Sequence, residues 1–190
     1  MRKTLHIFFL AFLATWLFGY ADYAYSQKTT PDKNMSAVEQ KLQSLGITLP
    51  AVTKPLAAYT PAVQSGNMVY VSGQLPLVSG ALVTPGGKGK VGATVSKDDA
   101  KAAARVCAIN SLAALKSIIG DLDRVVRVVK LTVFVASAPD FTEQPFVGNG
   151  ASEFFKEVFG EKGEHARSAV GVAELPLGAS VEVEAIYEVK

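Results

Sequence analysis

The stretch Ala166-Arg167-Ser168-Ala169-Val170-Gly171-Val172-Ala173-Glu174-Leu175-Pro176, followed by Val181-Glu182-Val183-Glu184-Ala185, reads as two short strands joined by a Pro/Gly turn. Side chains alternate along a strand, so Arg167 shares its face with Ala169, Gly171 and Ala173, and there is room beside the guanidinium. Taking an arginine out of water is costly, on the order of 3 to 5 kcal/mol if its partner is lost. Either Glu182 or Glu184 pairs with Arg167 and ties the two strands, or a ligand carboxylate takes that place. The first arrangement is structural and the second is a binding site.

Around this segment the chemical inventory is sparse. His165 shares the parity of Arg167, so it could shuttle protons or simply end a loop. Glu182 and Glu184 share a strand face about 7 Å apart, which suits a glycosidase carboxylate pair and equally a solvated strand face. With two histidines and one cysteine, the chain has no zinc-ligand spacing, and no nucleophile-elbow motif accompanies His165. The loop Pro85-Gly86-Gly87-Lys88-Gly89-Lys90 lacks the Gly spacing and the following Ser or Thr of a phosphate-cradling loop. Cys107 falls on the apolar side of a predicted helix and reads as a small core residue.

Periodicity supplies the rest of the framework. Ser36, with Glu39 three residues later, predicts a capped helix to Leu45, ended by Gly46. Residues 47–58, broken by Pro50 and Pro55, read as an extended connector. Asn67 to Ser72 is a strand, and Ala81 to Val83 a short strand expected to pair back with it. Ser96, with Asp99, caps a long helix to Ile119 whose apolar stripe includes Ala100, Ala104, Cys107, Leu112 and Leu115. Val125 to Val135 is a β-branched, buried strand, and a second helix is expected from Gly150 to Phe159. The last strand, Val181 to Val189, alternates apolar residues with Glu182, Glu184 and Glu188. Strand, strand, helix, strand, helix, strand, strand makes one α+β layer pair.

The N-terminus has a different character. Arg2 and Lys3, an apolar run from Leu5 to Phe18 and small residues around Ala24-Tyr25-Ser26 predict a signal peptide over 1–26 and a periplasmic or secreted location. Residues 27–46 are then a leader with the short helix, and 47–190 the domain. No membrane segment is expected after cleavage. A net charge of +2 offers no electrostatic case for nucleic acid.

In this order, Tyr59, Val71-Ser72-Gly73-Gln74-Leu75-Pro76, Val133-Phe134-Val135, Ala166-Arg167-Ser168 and Val181-Glu182-Val183-Glu184-Ala185 resemble the RidA family, also called YjgF or L-PSP-like. The resemblance covers roughly residues 56–188. It implies a chorismate-mutase-like fold, a single layer of mixed sheet with two main helices on one face, and a homotrimer with ligand sites between subunits. It further implies that Arg167 grips a substrate carboxylate, that Glu182 positions the attacking water, and that Tyr59, Ser72 and Gly73 line the pocket. The implied reaction is hydrolysis of reactive 2-imino or enamino acids to 2-keto acid and ammonia, without metal or cofactor. Many members carry Pro-Ala-Arg-Ser-Cys where this chain has His165-Ala166-Arg167-Ser168-Ala169, so the pocket cysteine is absent. Asn149-Gly150-Ala151-Ser152 and Gly171 to Pro176 look like a longer branch of the family. Non-catalytic binding of a small carboxylate and the ribonuclease activity of the family's older name remain alternatives. For ribonuclease chemistry the chain offers only His165 and scattered basic residues.

Overall fold

The computed structural model describes residues 35–52 and 58–190, so the predicted signal peptide and most of the leader lie outside the described residues. Helix α1 (Ala37–Ser44) is capped as expected by Ser36, whose hydroxyl accepts from the Glu39 amide. Strands β1 (Ala62–Ser65) and β2 (Met68–Gln74) form a hairpin, and β3 (Leu77–Val78) pairs with β4 (Ala81–Leu82). Helix α2 (Lys97–Ile119), β5 (Val125–Ala136), α3 (Gln144–Phe159), β6 (Ala166–Val172) and β7 (Val181–Val189) complete the chain.

Five strands build one sheet in the order β1-β2-β7-β5-β6. Only β5 and β6 are parallel neighbours; the other pairs are antiparallel. Strand β7 occupies the middle because its alternation lets one face enter the core. Val181, Val183, Ala185, Tyr187 and Val189 are buried there, while Glu182, Glu184, Ile186 and Glu188 project from the other side. Both long helices cover the first side. The Tyr187 hydroxyl meets Ser111 of α2 at 2.8 Å, which satisfies two buried polar groups at once.

Close helix packing depends on Gly150, where a Cβ would lie 1.9 Å from the Lys101 carbonyl oxygen. Along the same seam Lys97, Lys101 and Arg105 pair with Glu143, Glu153 and Glu157. Such exposed pairs are each worth up to about 1 kcal/mol, so they orient the helices more than they hold them.

Several expectations need correction. The strands carrying Arg167 and Glu182 are not neighbours, because β5 lies between them and pairs with both. The short strand at Ala81 folds onto Leu77–Val78 through Ser79 and Gly80, both at positive φ, instead of returning to β2. Strand β1 carries no readable sequence signal, since it buries Ala62 alone. Helix α3 begins at Gln144 rather than Gly150, with Pro145 in the first turn where its missing N–H costs nothing.

Asp123 docks α1 on the domain by accepting from the Ala37 and Val38 amides, each at 2.9 Å. Burial pushes its carboxyl up, but the Val38 and Ala37 amides and the Ser36 hydroxyl outweigh that and hold it below the usual carboxylate range. Asp123→Ala is expected to cost about 0.5–2 kcal/mol in urea unfolding at pH 7. A depressed carboxyl contributes stability above its unfolded value, so the difference should shrink as pH falls through the folded-state pKa. A deficit that persists unchanged in acid would show that the charge is not involved.

Candidate functional site

The register of the sheet places the two charged candidates on opposite faces. Arg167 stands beside Leu131, which stands beside Ala185, and that row points toward the helices. Glu182 stands beside Phe134, which stands beside Val170, and that row lies on the uncovered face. The ion pair that would have tied the two strands is therefore not formed.

Arg167 instead lies along α3 at the sheet edge. One terminal nitrogen, Nη1, donates to Asn149 Oδ1 and to Ser152 Oγ, each at 2.9 Å, and Nη2 donates to the Pro145 carbonyl at 3.1 Å. Gly148 eases the approach, since a Cβ there would sit 3.2 Å from Nη1 and the guanidinium would have to give by a few tenths of an ångström. All three acceptors are neutral, and burial lowers the pKa of the guanidinium without an opposing acid. Of its five N–H groups, Nε–H and one on Nη2 make no bond among the described residues. No carboxylate among the described residues forms a salt bridge with this cation.

His165 adds a second connection. Its Nε2 lies 3.0 Å from Ser152 Oγ and its Nδ1 lies 2.6 Å from the Gly163 carbonyl oxygen. Both ring nitrogens are engaged, which makes it a poor proton shuttle as it stands. Burial and the Arg167 charge lower its pKa against the upward pull of the Gly163 bond.

On the other face, Glu182 lies over a β-bulge. Val71 pairs with Ala185 and Gln74 with Val183, so Ser72 and Gly73 together oppose Glu184. A Cβ on Gly73 would fall 1.7 Å from Glu182 Oε1, so only glycine lets this carboxylate rest against the strand. Burial, with the like charge of Glu184 added, pushes the Glu182 carboxyl above the usual carboxylate range. Ser72 spends its hydroxyl on the Thr60 carbonyl at 2.8 Å, which fastens the segment carrying Tyr59. Tyr59 itself is 60% exposed. Ser72, Gly73 and Glu182 thus form one group, with Tyr59 beside it in the chain, and Arg167 forms another.

Sequence reasoning missed Asn149, Ser152, Pro145 and Gly148 as partners of Arg167. The spacing of Asn149 and Ser152, three residues apart on one helix face, was the available clue. Among the described residues no cluster of three His, Cys, Asp or Glu could hold a metal ion. A cavity of about 370 Å³ lies at the far end of the helices, between α1, Asp123 and Lys162, and contains none of the candidate residues.

The family model described as Endoribonuclease L-PSP matches residues 49–189. The chain belongs to the L-PSP, or RidA/YjgF, family. It is 51% identical over 154 residues to Protein TCP17 of Trypanosoma cruzi, covering 80% of this chain and 93% of that one. It is 33% identical over 146 residues to a 2-iminobutanoate/2-iminopropanoate deaminase of Dermatophagoides farinae, covering 76% of this chain and 95% of the relative. Among solved structures, a putative endoribonuclease from Shewanella oneidensis MR-1 superposes with a TM-score of 0.77 at 30% identity, over 81% of this chain and 100% of that one. The expected chorismate-mutase-like arrangement of mixed sheet and one-sided helices is the fold of this family member.

The electrostatics of the bulge are open to measurement. Carboxyl NMR titration is expected to place the Glu182 midpoint above that of an ordinary exposed glutamate in the unaltered protein. Glu184→Gln removes a like charge and Gly73→Ala forces the carboxylate into water, so each should lower that midpoint. Unchanged values in both variants would mean that neither neighbour sets the Glu182 environment.

Proposed function

We propose that this protein is a hydrolytic deaminase of 2-imino and enamino acids, assembled as a homotrimer whose sites lie between subunits. The observation that carries the reading is Arg167, a half-buried cation held by three neutral acceptors with two N–H groups uncommitted among the described residues. A planar fork with free donors at a sheet edge suits a small carboxylate, and its charge does not titrate in the working range. The named deaminase relative supports the reaction class.

Assembly accounts for the separation of the two groups. The uncovered sheet face shows Val63, Tyr70 and Val170, exposed by 52%, 45% and 43%, with Phe134 and Ile186 among them. Apolar residues spread over a bare sheet face call for a cover. A second copy laid against that face would bring its β6 edge toward the bulge of β2, so that Arg167 of one subunit meets Glu182, Gly73 and Ser72 of the next.

In such a cleft the substrate carboxylate sits on the Arg167 fork and the imine carbon lies near Glu182. Water oxygen bonds to that carbon and the C–N bond breaks. The nitrogen leaves as ammonia after receiving the water protons, and a 2-keto acid remains. A carboxyl with a raised pKa is suited to take a proton from the water and return it to the departing nitrogen. Tyr59 would cover the site. With the N-terminal segment read as an export signal, the enzyme would work in the periplasm or outside the cell.

Two further readings meet the same residues. A non-catalytic receptor for small carboxylates would use the Arg167 fork alone. Ribonuclease chemistry is less well served, because both nitrogens of His165 are already bonded.

An amino-acid oxidase that generates imine in situ supplies the test. The protein is expected to speed imine loss over the spontaneous rate, and Arg167→Ala to lower kcat/KM on the order of 10²- to 10³-fold, the scale of truncating a hydrogen-bonded charge pair. Arg167→Lys should recover little, since an ammonium lacks the fork. Equal rates for Arg167→Ala and the unaltered protein would overturn the assignment. Pyruvate binding that depends on Arg167 without any turnover would favour the receptor. Sedimentation should report three copies, and Tyr70→Lys should lower that number.

A further inference from the structure

Three bonds run in line from the guanidinium into the backbone. Gly163 contributes a carbonyl oxygen, which can only accept, so His165 carries its proton on Nδ1 and donates there. In the neutral ring, which burial favours, Nε2 is then a bare lone pair and accepts the Ser152 hydroxyl proton. With that proton committed to the ring, Ser152 Oγ presents its lone pairs to Arg167 Nη1. Each donor points the same way, from Arg167 through Ser152 and His165 to Gly163.

We propose that His165 is a positioning residue: with its proton on Nδ1 it orders the Ser152 hydroxyl, and Ser152 in turn aims the Arg167 guanidinium for a carboxylate. The inference rests on the reading of Arg167 as a carboxylate grip. Ser152 and Asn149 both bind Nη1, while Pro145 takes only one N–H of Nη2. The head group is thus anchored at one end and its Nε–H and second Nη2–H are left to the ligand. A hydroxyl free to rotate would offer its proton toward the cation in some of its orientations and weaken that anchor. The imidazole removes this freedom.

The surroundings of the ring fit the role. Phe155 of α3 packs on it in a T-shaped arrangement with centroids 6.3 Å apart, which limits how far the imidazole can turn. Arg167 is the cation facing it, one hydroxyl away. Glu164, its neighbour in the chain, is paired with Lys156 of α3 at 2.7 Å. A carboxylate bound on Arg167 would offset the positive charge that acts on the imidazole, so ligand binding and His165 protonation are linked.

Pyruvate, the 2-keto acid expected from 2-iminopropanoate, is the probe, with calorimetry for binding and the imine assay for KM and kcat. His165→Phe keeps a ring of similar size but offers no acceptor, and should raise the pyruvate Kd and the KM about tenfold with kcat held within about twofold. His165→Gln retains an acceptor for the Ser152 hydroxyl and should bind pyruvate within about threefold of the unaltered protein. Ser152→Ala should match His165→Phe, and the double variant should be no worse than either, since both act along one path. In the full chain, the imidazole NMR signal lost in His165→Gln should titrate at higher pH when pyruvate is added, and Arg167→Ala should abolish that shift. Additive losses in the double variant, a His165→Phe protein that binds normally, or a pyruvate-insensitive His165 titration would each overturn the positioning role. Were the unaltered protein and Arg167→Ala alike in pyruvate binding, the grip itself would fall, and the inference with it. Loss of binding in Arg167→Ala alone would leave the grip standing and remove only the role of His165.

Discussion

The pairing of β7 with β5 governs everything else in this molecule. Val133 faces Val183 and Leu131 faces Ala185 on the side packed by the helices, so Phe134 and Glu182 are committed to the side that the helices leave bare. A slip of one residue would drive glutamates into the core and expel Val181, Val183 and Tyr187, which no compensating contact could repair. The same register, carried through β5 into β6, sends Arg167 toward α3. A strand pairing chosen by the hydrophobic core thereby decides that the two charged groups of the candidate site cannot meet within one chain.

The two charges are handled differently. Arg167 is partly withdrawn from water and surrounded by neutral acceptors, so its head group is oriented but not neutralised. Glu182 is pressed against a glycine at a bulge and feels Glu184, so its ionised form is disfavoured. Oriented but unneutralised charge is unfavourable for an isolated fold and useful for a ligand, because the protein has met the ordering cost before binding. The dense apolar core under β7 and the satisfied Ser111–Tyr187 bond give the fold the stability to carry such a site.

Much of the framework was legible in the chain. Ser36 and Ser96 marked their helices because a hydroxyl at the N-cap satisfies a first-turn amide that has no partner within the helix, and both bonds are present. Alternation along residues 181–189 identified a strand with one buried face. Where reading failed, the local signal was short or fitted two structures equally well. Strand β1 buries a single residue, and so has no periodicity to read. The early start of α3 follows from Pro145, a residue that reads equally well as a loop breaker. The pairing of Ala81 with Val78 depends on a tight turn whose competitor, β2, was equally plausible from composition.

At the site the division is clearer still. Residue types alone determined that an arginine on a small-residue strand face needed an answer to its charge, and that zinc and nucleophilic-triad chemistries were short of residues. Only the folded chain decided which answer it received. The order β7-β5-β6 inserts one strand between Arg167 and Glu182 and hands the guanidinium to Asn149, Ser152 and Pro145. Strand periodicity is a local property, set by each residue's own backbone and therefore written along the chain. Strand order and facing partners come from the simultaneous burial of distant segments, and no short window of sequence contains them.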